Sequence, residues 1–143
     1  MLRVLMPLMA ATMLGACATG YHDASNPILG YAGGYWDAPG PGQLLKVGFS
    51  ANGFSKKEQV GTYLLYRCAE VAESHGKNYF AMYANLPAAI LDRRSTERTV
   101  GTLGGKPSAY VYILPRDEDG ADVMSAKAIL ERKMQAEAGG PAS

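Results

Sequence analysis

The sequence is poor in the residues that most often announce chemistry. Of its 143 residues only two are cysteine and two are histidine, and there is a single tryptophan. His22 and His75 have no cysteine or carboxylate at metal-ligand spacing, so no metal site and no cofactor site is expected. Charge of neither sign dominates: Lys and Arg total 14 against 13 Asp and Glu, a formal net charge of +1. Without a basic stripe, nucleic acid is not an expected partner. The apolar run from Val4 to Leu14 is too short to span a bilayer, which needs roughly 20 apolar residues. What is left is enough chain for one domain of ordinary size.

What the sequence does have begins at its N-terminus. Met1-Leu2-Arg3 carries one positive charge, Val4 to Leu14 is apolar apart from Pro7 and Thr12, and Leu14-Gly15-Ala16-Cys17 follows. A charged start, an apolar middle of about 7 to 15 residues and small residues at the cut form an export signal that is removed. Leu14-Gly15-Ala16-Cys17 resembles the bacterial lipobox. The resemblance implies cleavage between Ala16 and Cys17, a diacylglyceryl group on the Cys17 sulfur and usually acylation of the freed amine. One acyl chain binds marginally, at about 0.8 kcal/mol per buried methylene, whereas two or more anchor stably. Ala18 and Thr19 follow the cysteine with no Asp, which by resemblance to enteric sorting favours the outer membrane, on its periplasmic face.

Residues 1–16 are therefore read as a lipoprotein signal and 17–42 as the lipidated cysteine and a flexible tether, rich in glycine and in Pro27, Pro39 and Pro41. A single domain is expected over 43–138, with a tail at 139–143. Arg3 leaves with the signal, so the remaining charges balance. Acylation of Cys17 would leave Cys68 as the one thiol, and core packing would have to stabilise the fold without a disulfide. Cys68 is read as a small buried hydrophobe rather than a reactive group. Within the tether, Tyr35 and Trp36 are expected to open a first strand at the edge of the core; Tyr21 and Tyr31 carry no assignment.

Alternation of Leu45, Val47 and Phe49 with Lys46, Gly48 and Ser50 predicts a half-buried strand, and Asn52-Gly53 a turn whose residues tolerate positive φ. Ser55 and Glu58 have capping-box spacing ahead of a helix over about 56–75, with Val60, Leu64, Cys68 and Val71 as its buried stripe and Gly76 beyond its end. A second strand is expected over 78–83 and a third over 108–114, ended by Pro115 because proline cannot donate to the ladder. A second helix over about 122–138 has Val123, Ala126, Leu130 and Met134 at helical spacing and stops at Gly139-Gly140-Pro141. The predicted class is α+β, a small three-stranded sheet with one central and one C-terminal helix.

The blocks Val47-Gly48-Phe49-Ser50-Ala51-Asn52-Gly53-Phe54-Ser55, Tyr63-Leu64-Leu65-Tyr66-Arg67-Cys68-Ala69-Glu70 and His75-Gly76-Lys77-Asn78-Tyr79-Phe80 carry a second resemblance. They resemble a family of small proteobacterial envelope lipoproteins without an established activity. The resemblance implies a lipoprotein and adds no catalytic residue.

Few constellations suggest a reaction. Gly101, Gly104, Gly105 and Lys106-Pro107 lack the ending of a phosphate loop and read as a hairpin connection. Arg67 either pairs with Glu70 along its helix or reaches Asp92 and Glu97 in the loop 84–98. Two functions follow. The first is a non-catalytic structural or interaction module, anchored to the membrane through Cys17 and contacting an envelope protein. The second is a small ligand-binding or hydrolytic envelope protein acting on a cell-wall or lipid component. It needs Arg93, Arg94 and Arg98 to converge on a pocket.

Overall fold

The computed structural model describes residues 18–24 and 33–139. The signal over 1–16, the cut between Ala16 and Cys17, the lipidated Cys17 itself, Tyr31 and the tail from 140 onward lie outside the described residues.

The class is α+β. Six strands form one antiparallel sheet in the order β1-β2-β5-β3-β6, with β4 paired to β5 off that path. The strands are β1 (Gly34–Pro39), β2 (Leu45–Ser50), β3 (Tyr79–Tyr83), β4 (Gly101–Leu103), β5 (Lys106–Arg116) and β6 (Val123–Ser125); the helices are α1 (Lys57–Ser74), α2 (Leu86–Ile90) and α3 (Ala126–Ala138). The sheet thus has twice the three strands expected and is five strands across, β4 and β3 pairing with different stretches of β5. β2, α1 and β3 make a crossover in which β5 lies between the two parallel strands. This topology puts both long helices against one face of the sheet; among the described residues no element covers the central part of the other, called the bare face below.

The covered face holds the core. Val47 and Phe49 of β2, Val111 and Ile113 of β5, and Phe80 and Met82 of β3 meet Val60, Leu64, Cys68 and Ala72 of α1 and Ile129 of α3. Phe49, Leu64, Phe80 and Met82 are fully buried, and each such side chain stabilises the fold by roughly 1.5–3 kcal/mol relative to exposure. Cys68 lies inside this cluster with no exposed surface. Helix α1 ends as its sequence suggested. Gly76 adopts φ +72, the Lys77 amide donates to Ala72 O and the Gly76 amide to Glu73 O, which satisfies the last carbonyls.

Several expectations are corrected. Ser55 does not cap α1: the N-cap is Lys56, without a side-chain cap bond. The Ser55 hydroxyl instead donates to Asn52 Oδ1 and accepts the Thr19 amide. The Asn52-Gly53 turn forms without positive φ at either residue, because Asn52 Oδ1 accepts the Phe54 amide at 3.0 Å. Pro115 does not end β5, which runs on to Arg116 with Pro115 opposite Phe80. The second helix starts at Ala126, capped by the Ser125 hydroxyl, because 123–125 pairs with 79–81 as β6. On α3 the buried apolar residues are Ala126 and Ile129, and Met134 is exposed.

The largest correction concerns the tether over 17–42. Residues 34–39 are the edge strand β1, in register with 45–50. Residues 18–24 are packed on the domain: Thr19 is 2 % exposed, and Asp23 bridges Tyr35 in parallel. The strand that Tyr35 and Trp36 were expected to open is thus present and continues to Pro39, since a strand end and an edge strand are the positions where a sheet accepts proline.

Candidate functional site

Two aromatic groups lie on opposite faces of the sheet. The bare face is set by register. Trp36, Gly48 and Tyr110 stand side by side across β1, β2 and β5, and Ala38, Lys46 and Tyr112 form the next row. Trp36 lies flat over Gly48, where an added Cβ would fall 2.2 Å from the indole, so only glycine permits this contact. Its indole N–H donates to Ser50 Oγ at 3.4 Å. The Lys46 ammonium sits 4.2 Å from the Tyr110 ring centroid, 5.7 Å from Trp36 and 5.8 Å from Tyr112. Such cation–π contacts hold the lysine stem flat on the rings. Tyr110 remains 48 % exposed. A groove of about 340 Å³ borders the patch, where β5 runs between the end of β3 and the start of β4, lined by Ala84, Glu97, Thr99, Thr102, Ser108 and Tyr110 among others.

On the covered side, Tyr21 joins Tyr35, Phe49, Tyr63 and Tyr66 in a cluster with ring centroids 4.9–6.5 Å apart. Burial pushes the Tyr21 phenol far above its ordinary value, and the neighbouring Glu70 carboxylate raises it further. Its hydroxyl nevertheless has no hydrogen bond of ordinary geometry. Charged side chains close over the cluster. Arg67 donates to Asp37 at 2.9 Å and to Glu70 at 3.3 Å, and stacks 4.4 Å from the Tyr35 ring. Lys133 reaches Glu70 at 3.1 Å and lies 4.6 Å from the Tyr21 ring. Burial alone would lower both cations; the hydrogen bonds that Arg67 donates to Asp37 and Glu70, and that Lys133 donates to Glu70, raise them instead. The pairing of Arg67 with Glu70 is therefore present. Its other partner is Asp37 on β1, not Asp92 or Glu97 of the loop.

The three loop arginines do not share a site. Arg94 donates to Asp92 at 3.0 Å and to Ala121 O, Arg98 donates to Gly61 O and Thr96 O, and Arg93 is exposed. Asp92 also accepts the Tyr83 hydroxyl at 2.6 Å; that bond and the Arg94 guanidinium hold its carboxyl below the usual carboxylate range. The group fastens the loop to the end of β3. Cys68 has its thiol pushed far up by burial, so it is no nucleophile at neutral pH. Gly104 and Gly105 both take positive φ and form the tight turn between β4 and β5. Among the described residues no three His, Cys, Asp or Glu side chains gather as metal ligands would, and no helix is long and apolar enough to cross a membrane.

Sequence reasoning located Trp36 near a strand but missed the bare face, since its members come from β1, β2 and β5. Alternation of Tyr110 and Tyr112 against Val111 and Ile113 was the available signal: large aromatics on the side that should have been polar. No family model, characterised protein or solved structure matches the chain.

Proposed function

We propose that the chain is a lipid-anchored protein of the bacterial envelope, most at home on the periplasmic face of the outer membrane, and that its bare sheet face docks another envelope protein without catalysis. Leu14-Gly15-Ala16-Cys17 supports the anchor, through its resemblance to the lipobox. The resemblance of the central blocks to small envelope lipoproteins agrees with it.

One observation carries the docking half: Trp36, Tyr110 and Tyr112 lie together around Lys46 on a sheet face that no element among the described residues covers. Aromatic side chains left at the surface cost solvation and are enriched at protein–protein contacts, where they bury a large area with few rotatable bonds. Lys46 adds a charge that a partner carboxylate can meet.

Metabolic labelling with a fatty acid tests the anchor. The wild-type chain takes up label and Cys17→Ala does not; equal label in both overturns the lipoprotein reading.

A further inference from the structure

We infer that the turn 52–57 and the neighbouring hairpin tip 104–106 form the membrane-facing end of the domain, with Phe54 seated among the lipid headgroups. This rests on the lipid anchor at Cys17 proposed above and adds a fixed orientation to it.

Covalent reach is the first support. Only Ala18 separates Cys17 from Thr19, and extended chain covers at most about 7 Å over those two residue steps. Thr19 is not free to wander. It is 2 % exposed, its amide donates to Ser55 Oγ at 2.9 Å and its hydroxyl accepts the Asn52 amide at 2.7 Å. A diacylglyceryl group on Cys17 therefore enters the bilayer beside the turn that joins β2 to α1. A flexible tether would let the domain tumble; a clamp two residues from the anchor does not.

What the turn exposes is the second support. Phe54 lies between Asn52 and Ser55, the two residues that hold Thr19, and is 66 % exposed. It has no structural reason to be apolar at that exposure, whereas an aromatic ring is well placed in the headgroup layer, which interfacial segments enter by roughly 5–10 Å. Within 52–58 and 104–106, Lys56, Lys57 and Lys106 are exposed against the one carboxylate of Glu58, with the exposed Asp23 at the neighbouring start of β1. The Gly105 carbonyl lies 3.7 Å from the position a Gly53 Cβ would take, so the hairpin tip shares the surface.

Charge polarity along the long axis agrees. Helix α1 starts here and runs 18 residues away, a length of about 27 Å. β5 runs the same way from Lys106 and ends at Arg116, beyond which Asp117, paired with Lys77 at 2.8 Å, is followed by exposed Glu118 and Asp119. Anionic headgroups attract the lysine end and repel the acidic one. In this pose the sheet stands along the membrane normal, and the Trp36–Tyr110 face stays open to a partner from the side.

The test uses the full-length lipidated protein in vesicles of phosphatidylethanolamine and phosphatidylglycerol with brominated acyl chains. In a Trp36→Phe background, Phe54→Trp and Glu118→Trp each place one fluorophore. The Phe54→Trp emission shifts to the blue and most of it is quenched; the Glu118→Trp emission is neither shifted nor quenched. A long Gly-Ser insert between Ala18 and Thr19 keeps the protein on floating vesicles but abolishes the quenching. Protein that floats with the Phe54→Trp emission unquenched, or with both positions quenched equally, overturns the seating and spares the anchor. Protein that carries no lipid and fails to float overturns the anchor reading and the seating with it. Hydrogen exchange of the unsubstituted chain reads the same contrast: vesicles protect amides 53–57 and leave 117–119 unchanged, and the reverse pattern overturns the seating.

Discussion

The two faces of the sheet use the same kind of residue in opposite ways. On the covered face Tyr21 packs edge-on against Tyr63 and Tyr66 and lies beside Tyr35 and Phe49, with Arg67, Glu70, Asp37 and Lys133 closing the rim. On the bare face Lys46 is the side chain that, among the described residues, lies over Trp36, Tyr110 and Tyr112. Aromatic content alone does not separate these roles. Covering does, and covering follows from topology: the crossover that carries α1 from β2 to β3, and the return of α3, both fall on one side. The covered cluster secures the fold, and the bare row is left for recognition.

Substitution should separate the two faces by size of effect. Phe49→Ala removes a fully buried ring and is expected to cost about 3–5 kcal/mol in urea unfolding; a loss below about 1 kcal/mol would mean that the covered cluster is looser than its packing implies. Tyr21→Phe runs the other way. Its hydroxyl is buried without a hydrogen bond, and an orphan of that kind costs stability, so the variant should gain about 1 kcal/mol. A clear loss would show that Tyr21 and Glu70 are bonded. Tyr110→Ala, at the half-exposed end of the bare row, should shift stability by no more than about 0.5 kcal/mol.

How much of this was readable in the sequence differs from element to element. The stripe Val60, Leu64, Cys68 and Val71 gave α1 because helical periodicity is local and long, and Gly76 gave its end. β2 and β3 were also visible from alternation. The edge strands were less so. Tyr35 and Trp36 marked the start of β1, but its extent to Pro39 did not show, because it holds Gly34, Pro39 and the exposed Asp37 and its pairing depends on residues 45–50 rather than on its own pattern. β6 spans three residues and runs straight into α3, so Val123 shared a helical spacing with Ala126 that tertiary pairing overrode. Ser55 matched a capping box and was recruited instead by Thr19, a partner 36 residues earlier that no local motif reveals. The bare face failed to show for the same reason: its members come together through register across three strands.

The most direct measurement of the docking claim is site-specific crosslinking in intact cells. A photoactivatable residue at Tyr110 on the bare face is compared with one at Lys127, exposed on α3 behind the covered face. A discrete protein adduct should form from position 110, be absent from position 127, and vanish when Trp36→Ala is combined with the 110 probe. No adduct from 110, or the same adduct from both positions, would contradict the assignment of the bare sheet face to recognition.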